Sequence, residues 1–457
     1  MRDDFIRAAC VPRTSSHTSG TLDVASALLA AHPELATLDI HTAAIVGNEV
    51  RVRELLAHDA SLASDTSTPY GWDALTHLCF SRYLRLDEGR TAAFVRAATA
   101  LLDAGASANT GFREDEHAPH PTFESVLYGA AGVAHNAPVT SLLLARGANP
   151  NDDEVPYHAP ESFDLGAFRV LLATRALTAD SLTTMLLRKS DWHDQDGMAL
   201  AIEFGADVNR TGRWGRAPLS HAIRSDNRIE IITLLLDHGA DPACVEQQSP
   251  TEGMSSSGMS AISQAAWTGR GDLLRLFAGR GHSLPSQGVD ALVATCALGD
   301  TAGATRIAAA SPEHATALRN RGALLLARFA GVGNTAGIRV LIELGVPVGA
   351  TLDQADGYHN RASYSTALHV AAWRARHETV ELLLSHGAAA QALDSHRRSP
   401  LMLAVLANVE SYWTNDPSPV SVAALLAAGA SVEGVRYPCG FAPVDALLEA
   451  HGARAVS

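Results

Sequence analysis

At 457 residues the chain has room for several domains, yet aromatic residues make up only 5% of it against a hydrophobic content of 47%. Alanine and leucine therefore supply the interior, and thin, closely packed helices are the expected material. A net charge of −14 excludes the basic field that sequence-independent nucleic-acid binding needs, and the five widely spaced cysteines (Cys10, Cys79, Cys244, Cys296 and Cys439), with no Cys-x-x-Cys among them, exclude a disulfide framework or a zinc ribbon.

The opening Met-Arg-Asp-Asp carries acids where a secretory signal wants positive charge. No run approaches the ~20 apolar residues of a membrane span. The expected setting is the reducing cytoplasm, with neither membrane nor nucleic acid as partner.

Taken in chain order, the apolar pattern predicts a weak helix pair over 2–38, with an internal loop around Pro12–Gly20, and a short pair over 39–64. The pair at 71–106 closes on Leu-Leu-Asp-Ala-Gly-Ala and carries an insertion around Phe80–Arg96. A long loop follows at 107–121, then a pair at 122–151 with Leu127-Tyr128-Gly129-Ala130-Ala131 and Gly147-Ala148. Worn pairs at 153–175 and 181–209 precede a clear one at 216–242, which opens on Ala217-Pro218-Leu219-Ser220 and closes on Leu-Leu-Leu-Asp-His-Gly-Ala-Asp-Pro. Beyond the loop 243–257 come pairs at 258–283, 289–308 and 322–349, then the loop 349–363. The pairs at 364–392, 399–430 (with an insertion around Asn408–Pro419) and 437–453 complete the chain. The leucine run followed by Gly-Ala returns about every 33 residues, a period that means stacked repeats.

The best unit explains the pattern physically. Thr366 precedes a first helix that contains Leu368-His369-Val370-Ala371-Ala372, where the small residues let two helices approach closely. Leu382-Leu383-Leu384 fill the layer between units, and Gly387 ends the second helix in a left-handed conformation. This unit resembles the ankyrin repeat, with its Thr-Pro-Leu-His-x-Ala-Ala signature. The resemblance implies an all-α fold, an ankyrin-repeat solenoid of roughly 12 helix-turn-helix repeats with short or irregular hairpin fingers and several enlarged loops. It also implies one continuous array over 1–457: degenerate capping repeats at 1–64, central repeats at 65–283, degenerate repeats at 284–350, and C-terminal repeats with a cap at 351–457. In such arrays the inter-repeat loops stand beside a concave groove, so the loops at 107–121, 243–257 and 349–363 are expected to deepen one wall of it.

Ankyrin-type proteins bind through finger tips and the concave face of the first helices. Carried over by register, that face holds Trp72, Phe80 and Ser81 in one repeat. It holds Arg213, Trp214, Arg216, Arg224 and Ser225 in another, Trp267 and Thr268 in a third, and Tyr364, Trp373 and Arg374 in a fourth. Four of the six tryptophans fall on it, and tryptophan and arginine are enriched where binding energy concentrates. The leading expectation is a scaffold that holds a protein or peptide in a Trp/Arg-lined groove, with a small-molecule ligand as the lesser option.

The alternative expectation is a cofactor-independent acid–base enzyme centred on Asp73 and His77, four apart on one helix face. Trp72, Tyr128, His135 and Arg213 are its expected neighbours, His135 being a third catalytic candidate. The resemblance implies that His369 and His158 hydrogen-bond the adjacent repeat, and Cys79, on a small-residue position, is expected to be buried and inert. No nucleophile elbow, phosphate loop or His-Glu-x-x-His occurs. His117 and His120 lack partners for a metal, so neither metal nor cofactor is expected.

Overall fold

The computed structural model describes residues 1–14, 16–116, 120–244, 258–410 and 417–455. They are mostly helical, and the strands among them are Gly111–Arg113 and Phe123–Ser125, paired antiparallel with Phe112 opposite Glu124. The helices come in antiparallel pairs, as the repeat pattern requires. First helices pack on first helices, with Ile40–Ile45 against Ala74–Cys79 and Ala367–Trp373 against Pro400–Val409. Second helices pack on second helices, with Glu49–His58 against Thr91–Asp103 and Ala137–Ala145 against Gly166–Ala173. Two compact units result, Met1–Arg213 and Trp214–Ser457.

The 364–392 repeat shows how local chemistry fixes the register. His369 Nδ1 accepts from the Thr366 N–H at 3.1 Å, so Nε2 carries the proton and donates to the Arg398 carbonyl of the next repeat at 3.1 Å. Burial holds the imidazole below its usual pKa, in the neutral form that this pattern needs. Leu368, Ala371, Ala372 and Leu383 are fully buried. Gly387 ends the second helix at φ +84° with its N–H on the Leu384 carbonyl.

The insertion at Phe80–Arg96 folds as the helix Arg82–Leu86 and the 3-10 turn Glu88–Arg90 before the helix Thr91–Asp103. Its arginines fasten the N-terminal loop. Arg82 donates to the Ala8 carbonyl at 2.7 Å, and Arg85 to the carbonyls of Thr18, Ser19 and Gly20, the last at 2.8 Å. Half of the insertion around Asn408–Pro419, with Trp413, lies outside the described residues, as do His117 and most of the loop 243–257.

In the C-terminal unit the helix Ala261–Thr268 packs on Pro218–Arg224, on Gly288–Ala297 and on Gly322–Gly331, which in turn packs on Ala367–Trp373. This arrangement brings distant repeats together. The Asp226 carboxylate accepts from Arg374 at 2.7 Å and Arg376 at 2.6 Å, and lies 3.4 Å from Arg270. Burial alone would raise the Asp226 pKa, but the three guanidinium groups overcome it and hold the carboxyl at about 2.

Candidate functional site: a cleft in the C-terminal unit

The N-terminal unit corrects several expectations. Trp72 is 1% exposed, because Phe112 from the strand Gly111–Arg113 folds over it with ring centroids 4.3 Å apart. Tyr70, His77 and Phe80 complete the nest. Trp72 is therefore a core residue rather than part of an open face, and Phe80 and Ser81 are buried too.

The expected acid–base centre does not assemble. The Asp73 carboxylate is a helix cap, accepting from the Thr76 N–H at 2.8 Å and from the Thr110 hydroxyl. His77 is fully buried, with Nε2 3.1 Å from the Thr68 hydroxyl and Nδ1 3.4 Å from the Cys10 sulfur. Burial, aided by His41, drives its pKa well down and keeps it neutral. His135 sits in a left-handed turn (φ 47°), where burial lowers its pKa. Cys79 is fully buried, and burial raises its thiol pKa.

Tyr128 joins a different group. It is 4% exposed, and its hydroxyl lies 3.0 Å from Nδ1 of the buried His17. His17 faces Glu124 across 4.0 Å. Burial, reinforced by Glu154, pushes the Glu124 carboxyl up to about 7. His158 does not reach to the next repeat as His369 does. It is clamped between Glu154 (3.1 Å) and Glu161 (2.8 Å). These carboxylates outweigh burial and hold the imidazole up at about 9. Arg213 is exposed, 3.7 Å from Asp153 and over the Tyr157 ring.

The C-terminal unit contains an open cleft. Four of the sequence-selected residues, Arg224, Trp267, Thr268 and Arg374, line it. They come from the ends of three first helices, Pro218–Arg224, Ala261–Thr268 and Ala367–Trp373. Trp267 is only 4% exposed. Its indole N–H donates to Asp290 at 2.7 Å, and Arg321 covers one ring face at 4.9 Å. The remaining selected residues lie elsewhere. Trp373 and Arg216 are buried (8% and 6% exposed), Trp214 is half-buried against His221, and Tyr364 is exposed at a left-handed turn.

The loop 349–363 contributes residues to the lining of the cleft. Asp356 and Arg361 pair across its turn, and both line the cleft together with His359. Burial, with Arg361 and Arg374 nearby, depresses the His359 pKa, so this imidazole is neutral. Sequence reasoning missed Asp226, Arg328 and these loop residues. Arg328 had a signal: it is the one charge in the apolar helix Gly322–Gly331. Arg224, Arg328, Arg361 and Arg374 stand against Asp226 and Asp356, so the lining is net cationic in a chain of charge −14.

Among the described residues no group of His, Cys, Asp or Glu is arranged to hold a metal, and no helix is long and apolar enough to cross a membrane. The ankyrin repeat family model matches residues 214–246, and a model of three ankyrin repeat copies matches 324–414. No curated protein matches the chain. The first matched segment supplies Arg224 and Asp226 to the cleft, and the second supplies Arg328, Asp356, Arg361 and Arg374. Repeat signature, helical pairing and family models agree that the chain contains ankyrin repeats.

Proposed function

We propose that the chain is a binding scaffold whose C-terminal cleft holds an extended segment of a partner protein. Ankyrin repeats generally serve as protein–protein interaction modules. The observation that supports this use of the cleft is its lining. Arginines ring apolar surface from Ile223, Met259, Trp267, Val332 and Val370 in one open recess, the combination of apolar anchors and charge-assisted donors that recognition sites employ. The acid–base alternative loses its centre, since Asp73 caps a helix and His77 is sealed in the core.

The test is selection of a displayed random-peptide library on the full chain, followed by hydrogen exchange of the chain with a selected peptide. Protection over 218–226, 322–332 and 356–374, abolished by Val332→Trp at the cleft, is the expected result. Protection confined to other segments would refute the reading.

A further inference from the structure

We infer that Arg328 is the docking point for a carboxylate, so that the cleft selects acidic segments. This rests on the segment-binding reading above and specifies the chemistry of the partner. Asp356 is taken by Arg361, and Asp226 by Arg374, Arg376 and Arg270. Arg328 lies between the fully buried Ala327 and Phe329 and lines the cleft, and among the described residues its guanidinium has no hydrogen bond or ion pair.

A half-buried cation with no ion-paired or hydrogen-bonded partner is costly, and its planar fork can bind a carboxylate through two parallel hydrogen bonds. The strain on the charge is visible: burial, with Arg361 close by, lowers the Arg328 pKa to about 10, and an arriving anion would reverse that. A single carboxylate matches the single uncommitted guanidinium, whereas a phosphate dianion brings excess charge beside Asp356 and Asp226. Val370 and Val332 offer apolar contact for the methylenes of an Asp or Glu side chain, or for the residues around a chain terminus.

The test uses the full chain and its Arg328→Met and Arg328→Lys variants. Peptides selected on the wild type should carry Asp, Glu or a free C-terminal carboxylate. They should bind Arg328→Met at least tenfold more weakly and Arg328→Lys at an intermediate level. Replacing the peptide's Glu by Gln should weaken binding to wild type by a similar factor and leave Arg328→Met unaffected. Selected peptides without an acidic group, or with equal affinity for Arg328→Met, overturn the inference.

If no peptide is selected, the segment-binding reading fails, and glutarate decides this one. Millimolar glutarate should raise the melting temperature of wild type but not of Arg328→Met. No rise, an equal rise in both, or a rise with inorganic phosphate alone overturns it. Circular dichroism checks the fold of Arg328→Met, and Arg328→Lys, which keeps the charge and loses the fork, decides if that variant fails to fold.

Discussion

Single residues in this protein carry opposing pH sensitivities, and the sign of each follows from its partners. Asp226 is held at about 2, below its ordinary 3.8, so its contribution is present above pH 3.8 and lost as pH falls through 2. Asp226→Asn leaves Arg374, Arg376 and Arg270 without their shared carboxylate. The expected cost is about 3–5 kcal/mol, the usual penalty for breaking a buried ion pair from one side. Urea unfolding of the C-terminal unit measures it, and the acid limb between pH 3.8 and 2 should flatten. His158 has the reverse sign. Its pKa is raised from 6.5 to about 9, so its stabilisation is full below pH 6.5 and lost as pH rises through 9. Glu124, raised from 4.5 to about 7 by burial and then Glu154, acts in the same direction, losing its contribution as pH climbs through 7. His158→Gln should remove about 1–3 kcal/mol of the pH dependence between 6.5 and 9. Thermal melts of the N-terminal unit across that range would show it as a flatter curve, and an unchanged slope would contradict the assignment.

At the scale of elements, the legible and the illegible separate by the range of the interaction. The helix pairs, the left-handed Gly387 and the His369 bridge are set within one repeat or between neighbours; the first two could be read from residue spacing, and the third was implied by the repeat resemblance. The register also brought Arg224, Trp267 and Arg374 to one cleft. It failed for Trp72, because whether a position beside the first helix stays open depends on what the adjacent loop does, and here the strand Gly111–Arg113 places Phe112 over the indole. Asp226 was missed because two of its three partners lie 148 and 150 residues away, and no local pattern encodes so remote a pairing. The insertion around Phe80–Arg96 was legible as a break in period, while its role was not. It anchors the segment that sets His17 against Tyr128. Arg85→Ala removes donors to three successive carbonyls and should cost about 1–2 kcal/mol. Amides of Thr18–Gly20 should exchange faster while those of Ala74–Cys79 stay protected. Unchanged exchange at Thr18–Gly20 would show that the loop holds without its arginine clasp.

The whole molecule imposes a field that the cleft must work against. The chain carries −14, while the recess that we assign to an acidic segment is lined by more arginines than aspartates. Long-range attraction normally steers oppositely charged partners together, and salt slows such encounters. Here the far field repels an acidic peptide, and the attraction from Arg328 acts only inside the recess, where solvent ions screen little. Raising ionic strength from about 10 mM to about 150 mM shortens the screening length from about 30 Å to about 8 Å, which removes the repulsion and leaves the short contact. The association rate of a selected acidic peptide should therefore hold steady or rise with salt, and the dissociation rate should change little. Arg328→Met should speed dissociation tenfold or more without altering the salt trend of association, because one charge in a recess does not set the far field. Stopped-flow polarisation measures both rates. An association rate that falls steeply with salt would mean that the peptide meets a basic surface outside this cleft, and the docking point would have to be sought there.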